Sequence, residues 1–155
     1  MSDRALGRAA LTRRQILIGT AGIGLMALPR WAQATPAEAQ AAIAKITGGA
    51  TPAAGRVTLR LPQIAENGNS VQFSVAVDSP MTEADYVKAI HVIAEENPFP
   101  EVATFYLSPA NGKAEVTMRM RLAKTQTVRA VAVMADGKAF EAQQEVKVTI
   151  GGCGG

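Results

Sequence analysis

The chain has 155 residues, with 16 Lys and Arg against 13 Asp and Glu, one His and one Cys. A single Cys excludes an internal disulfide, and one Cys with one His excludes a dedicated metal site at recognisable ligand spacing. The formal net charge of +3 is no argument for nucleic-acid or membrane binding by the folded part: five basic residues (Arg4, Arg8, Arg13, Arg14, Arg30) and one acid (Asp3) lie in residues 1–34, which leaves 11 basic and 12 acidic residues from Thr35 onward.

Residues 1–34 read as an export signal that is removed. A basic region ending in Arg13-Arg14 is followed by an apolar stretch from Ile16 to Leu28, about 13 residues, then Pro29 and the A-x-A pattern Ala32-Gln33-Ala34. A membrane-spanning helix needs about 20 residues, so a permanent anchor is not expected. Arg13 and Arg14 resemble the twin-arginine export signal, which carries folded proteins. The pattern departs from that signal at Ile16 and Ile18, where Phe and Lys are preferred. An ordinary signal for unfolded chains is the alternative, and either route leads to the periplasm. Cleavage after Ala34 leaves 121 residues, Thr35–Gly155, enough for one domain with its own core.

Residues 35–49 read as a short N-terminal helix. Thr35 can cap it, Pro36 suits its first position and Glu38 completes a capping box; Ile43 and Ile46 share a face, and Gly48-Gly49 end it. From residue 55 to 150 the pattern is β. Val57–Leu61 alternates, Pro62 and a turn at Asn67-Gly68 come next, and Val71–Val77 alternates again. Val87–Ala94 and Val102–Leu107 are apolar runs separated by Pro98-Phe99-Pro100. Asn111-Gly112 reads as a hairpin-type turn before Val116–Leu122, and Asp136-Gly137 as another between Val128–Met134 and Phe140–Ile150. About seven short strands punctuated by Gly, Pro and Asn predict an all-β fold, an immunoglobulin-like antiparallel β-sandwich, with a small barrel as the alternative.

The last strand runs into Gly151-Gly152-Cys153-Gly154-Gly155. Two glycine pairs around the only thiol predict a flexible arm, residues 151–155, with one nucleophilic sulfur near its tip. In an oxidising compartment an odd Cys points to a reactive thiol or an intermolecular bond. No basic residue accompanies Cys153 in the tail, and the nearby terminal carboxylate disfavours the thiolate, whose ordinary pKa is about 8.5. The single His91 falls inside a predicted strand, so a Cys–His pair is not expected. No phosphate-cradling loop is present. Glu95, Glu96 and Glu101 read as part of a solvated loop, and Arg119 and Arg121 as the outer face of a strand. The chain therefore reads as a non-enzyme without cofactors, whose thiol is activated by another protein and serves as an attachment point.

The tail after an exported β-rich domain closely resembles the SoxY family, the sulfur carriers of the bacterial Sox thiosulfate-oxidising system. Leu61-Pro62-Gln63-Ile64-Ala65-Glu66-Asn67-Gly68 is similar to that family's L-P-x-I-A-E-N-G stretch, Ala94-Glu95-Glu96-Asn97-Pro98 to its A-E-x-N-P segment, and Arg121-Leu122-Ala123-Lys124-Thr125-Gln126 to its R-L-A-x-T-Q segment. Ser79-Pro80-Met81 also fits, so the resemblance spans essentially the whole mature chain. It implies a periplasmic carrier with an immunoglobulin-like fold, paired with SoxZ as a heterodimer. It also implies that Cys153 carries sulfur covalently, as S-thiosulfonate and then sulfane sulfur, on the arm formed by Gly151, Gly152, Gly154 and Gly155. The partners implied in turn are haem-containing SoxAX, the hydrolase SoxB and, in systems that possess it, the sulfur dehydrogenase SoxCD.

Two other readings compete. A terminal Gly-Gly also resembles ubiquitin-like proteins that carry sulfur as a C-terminal thiocarboxylate, but that chemistry needs ATP, which is scarce outside the cytoplasm. An immunoglobulin-like interaction module using Cys153 for an intermolecular disulfide is the third.

Overall fold

A computed structural model describes residues 36–152. The first element, α1 (Pro36–Ile46), is amphipathic: Ala39 and Ile43 are buried and pack on Ile93, Val131 and Ala139, with Ile46 at the rim. It stops at two glycines in the left-handed region, Gly48 and Gly49, where the Gly49 N–H donates to the Ala44 carbonyl at 2.7 Å and satisfies an otherwise open helix end. The expected cap Thr35 lies outside the described residues.

Nine strand segments come after it: β1 (Ala53–Ala54), β2 (Val57–Arg60), β3 (Ile64–Asn67), β4 (Val71–Val77), β5 (Val87–Ala94), β6 (Glu101–Tyr106), β7 (Ala114–Met120), β8 (Gln126–Met134) and β9 (Ala139–Ile150). They form an immunoglobulin-like sandwich of two sheets. The larger has the order β1-β9-β8-β5-β6 with β3 also on β9, and the smaller is β2-β4-β7. The seven expected strands are present. The other two, β1 and β3, both lie parallel to β9, at Ala53↔Phe140 and Ile64↔Lys147 respectively.

The core lies between the sheets. Val71, Phe73, Val75 and Val77 alternate inward from β4 and meet Ile90, Val92, Val128 and Val146 of the larger sheet. Because α1 covers the opposite face of β5 and β8, those central strands are buried on both sides and read as nearly unbroken apolar runs. At the edge of the smaller sheet Met118 faces the same way as its pair Phe73 yet stays 47% exposed, while Phe73 is 1% exposed.

Two turn assignments resolve differently. Residues 135–138 join β8 to β9 as a hairpin, with Gly137 at φ 85° and the Asp136 side chain accepting the Lys138 N–H at 3.0 Å. Asn111-Gly112 is not a hairpin. It closes a single 3-10 turn, Pro109–Asn111, between β6 in one sheet and β7 in the other, so the left-handed Gly112 redirects the chain across the sandwich.

His91 is half-buried on β5, and its Nδ1 lies 3.1 Å from the Thr104 hydroxyl. Burial lowers its pKa below the ordinary 6.5, opposed by the Glu101 charge. The unfolded chain then binds the proton more readily than the native one, so the stability of neutral His91 is complete above pH 6.5 and is lost as pH falls below it. Urea unfolding between about pH 8 and about pH 5 should show a smaller acid loss in His91→Gln than in the wild type. Equal losses would contradict this assignment.

Candidate functional site

The site is the root of the C-terminal tail, and it is built where three loops meet the end of β9. The ladder between β8 and β9 stops at Gln126↔Val146. Beyond that point β9 would be a bare strand, but β3 takes over on its other side and pairs Lys147–Ile150 in parallel. Thr125 replaces the missing β8 partner: its Oγ1 accepts the Val148 N–H at 2.9 Å. The Lys147 N–H donates to the Gln63 carbonyl at 2.9 Å, and the Gln144 amide to the Leu61 carbonyl at 2.8 Å. The strand is thus held by Thr125 on one side as far as Val148 and by β3 on the other to its last residue.

The chain does not come free at Gly151. The Gly68 N–H donates to the Ile150 carbonyl at 2.7 Å, the Leu122 N–H to the Gly68 carbonyl at 2.8 Å, and the Gly152 N–H to the Leu122 carbonyl at 2.9 Å. These bonds join residues 68, 122 and 152 backbone to backbone, with no room for a Cβ at 68, 151 or 152. A Cβ on Gly151 would overlap the Ala123 carbonyl oxygen. One on Gly152 would lie 2.9 Å from the Gly68 oxygen and 3.2 Å from the Leu122 oxygen. A Cβ on Gly68 would overlap the Leu122 oxygen and meet the Gly152 nitrogen at 2.7 Å and Val148 Cγ1 at 2.9 Å. Gly68 does not have a left-handed φ; glycine is required there by close approach, not by turn geometry.

The loop that receives the tail is itself fastened from behind. Asn97, 3% exposed, donates to the Arg121 carbonyl at 2.8 Å, and its Oδ1 accepts both the Ala123 N–H and the Gln126 side-chain amide at 2.9 Å. Gln126, equally buried, accepts the Glu96 N–H at 2.8 Å and donates to the Lys124 carbonyl at 3.2 Å. A Lys124–Glu96 ion pair of 2.6 Å braces the same two loops at the surface. Among the described residues no buried side-chain nitrogen or oxygen lacks a partner, so this buried polar network is complete.

Of the expected site residues, Gly151 and Gly152 are seated in the slot. Cys153, Gly154 and Gly155, like Arg13 and Arg14, lie outside the described residues. Gly68, Asn97, Thr125 and Gln126 are additions to the expected site, although each belongs to a segment that carries the family resemblance. Those segments are far apart in sequence and meet at the tail root. Glu95 is not part of a freely solvated loop: its carboxylate pairs with Arg129 at 2.6 Å, with 13% of the side chain exposed. Arg119 donates to the Ser70 hydroxyl at 3.2 Å.

A model of the family described as sulfur oxidation protein SoxY matches residues 43–153. Among solved structures, the sulfur carrier protein SoxY from Chlorobium limicola f thiosulfatophilum is 35% identical, with a TM-score of 0.61, over 75% of this chain and 100% of that one. A superoxide reductase (neelaredoxin) from Ignicoccus hospitalis superposes with a TM-score of 0.54 at 21% identity, over 61% of this chain and 80% of that one, which is a likeness of fold alone. No curated protein matches.

Proposed function

The chain belongs to the SoxY family of sulfur oxidation proteins, and from that premise we propose that it is a covalent sulfur carrier with Cys153 as the attachment point. The observation that carries the proposal is that three segments distant in sequence spend their backbone and buried polar groups on seating Gly151 and Gly152, immediately before the only thiol. The family match extends to Cys153 itself.

In the proposed chemistry, a haem-containing SoxAX enzyme removes two electrons while the Cys153 sulfur bonds to the sulfane sulfur of thiosulfate; the thiol proton leaves and a cysteine S-thiosulfonate forms. SoxB adds water across the bond between the sulfane sulfur and the sulfonate. This releases sulfate and a proton and leaves a persulfide on Cys153. Where SoxCD is present, it withdraws electrons from the sulfane sulfur as water supplies oxygen, and a final hydrolysis frees the second sulfate and the thiol. The carrier supplies no general base: its thiol is activated inside each partner. SoxZ is the proposed heterodimer partner, and the periplasm, reached through the Arg13-Arg14 signal, is the proposed compartment.

Protein purified from thiosulfate-grown cells should show several intact masses that collapse to one on reduction, with the difference confined to the peptide holding Cys153. A single unmodified mass would overturn the carrier reading. A residue appended after Gly155 should leave loading largely intact; its abolition would favour a C-terminal thiocarboxylate instead.

A further inference from the structure

We infer that Asn97 is a positioning residue for the carrier arm, fixing the point from which Cys153 is presented. The arm's purpose rests on the carrier reading; the geometry that holds it does not. Asn97 grips the backbone of Arg121 and Ala123, the two neighbours of Leu122. Leu122 is thereby left with both of its backbone groups turned to the tail root, its N–H to Gly68 and its carbonyl to Gly152. One buried side chain thus holds a three-residue strap whose middle member holds the arm. Gln126 closes the arrangement by occupying the second lone pair of the Asn97 oxygen. A buried amide whose oxygen and nitrogen are both engaged has no alternative rotamer that keeps these bonds.

Seating Gly152 limits the reach of the thiol. Cys153 is the adjacent residue, so with Gly152 seated its sulfur lies within about 7 Å of the Gly152 Cα. An arm pinned there offers its thiol from one origin, and a partner enzyme need not order residues 151 and 152. Freeing residues 151 and 152 adds two backbone units to be ordered at every encounter, which should lower kcat/KM for the carrier by on the order of thirtyfold to a thousandfold. The fall should appear in KM, because the chemistry of the bound thiol is unchanged.

Amide hydrogen exchange on Asn97→Ala tests the assignment. Exchange at Leu122, Ala123 and Gly152 should accelerate by about tenfold or more, while Val92 and Ala130 in the sheet core stay within about twofold of the wild type. Unchanged exchange at Gly152 would overturn the inference. So would a uniform acceleration, which would make Asn97 a general stability residue. If Asn97→Ala does not fold, Asn97→Asp keeps an acceptor for Ala123 and Gln126 but sets a second carboxylate oxygen against the Arg121 carbonyl, and it should speed exchange at Leu122 and Gly152 more than at Ala123; unchanged exchange at Gly152 would again overturn the inference. Gly151→Ala, whose Cβ would overlap the Ala123 carbonyl oxygen, unseats the root from the tail side and should speed exchange at Gly152 while Val92 and Ala130 stay within about twofold of the wild type; failure to do so would also overturn the inference. These readouts need no sulfur. If Cys153 never acquires sulfur while the exchange pattern holds, only the carrier reading fails. If Cys153 loads normally and the pattern is absent, only the positioning role fails.

Discussion

Gly68→Ala is expected to lower stability by about 3 kcal/mol and to unseat the tail root, although no side chain is lost and Ala is the smallest replacement available. The new methyl would overlap the Leu122 carbonyl oxygen and press on the Gly152 nitrogen and the Val148 side chain. Two of these neighbours are backbone atoms, which cannot rotate away, so the strain must be relieved by moving the backbone of the loops and the tail root. Movement breaks the bonds from Gly68 to Ile150 and to Leu122, each worth about 1 kcal/mol. Thermal unfolding should shift down by about 10 °C, and the loss should exceed that of alanine at Gly48 or Gly49, where a Cβ meets nothing within 4 Å and only a left-handed φ opposes it. If Gly68→Ala unfolds like the wild type, the close backbone approach that defines the root does not exist in solution.

The second large effect is chemical. Cys153→Ser should abolish thiosulfate oxidation by a system reconstituted with the other Sox components, because a hydroxyl cannot form the sulfur–sulfur bond on which every later step depends. Stability should stay within about 0.5 kcal/mol of the wild type, because Ser and Cys differ by one atom and have nearly the same shape. Residual activity above that of a mixture lacking the carrier would contradict the assignment of Cys153. The two variants separate the roles of neighbouring parts: Gly68→Ala damages the platform with the thiol intact, and Cys153→Ser removes the thiol with the platform intact.

Much of the fold is legible in the sequence, and the parts that are not have a physical reason. Strands such as β4 can be read because one face is buried and one is wet, so Val71, Phe73, Val75 and Val77 alternate with smaller or polar residues. β3 carries no such signal. It is four residues long with a single buried position, Ala65, and its partner lies some 80 residues away in β9, beyond the reach of local periodicity. The Asn67-Gly68 pair shows the same limit. It looks like turn chemistry, and the Asn67 side chain does accept the Asn69 N–H at 2.9 Å, but the demand for glycine comes from Leu122 and Gly152, which sequence spacing does not bring together. Gly151 and Gly152 read as freedom because glycine permits it, whereas here they are also required by a slot too narrow for a Cβ. A lone Asn beside Pro98 suggests a loop; the burial of Asn97 becomes visible only once the loops of residues 95–100 and 121–125 are seen back to back.

The tail is held as far as Gly152, and the proposed attachment point belongs to the next residue. The most direct measurement is to incubate the protein and the proposed oxidase with thiosulfate radiolabelled in the sulfane sulfur, then to map peptides without reductant. One label per chain is expected, confined to the peptide containing Cys153, released by a thiol reductant and absent from Cys153→Ser. Label that survives in Cys153→Ser, or that resists reductant, would contradict it.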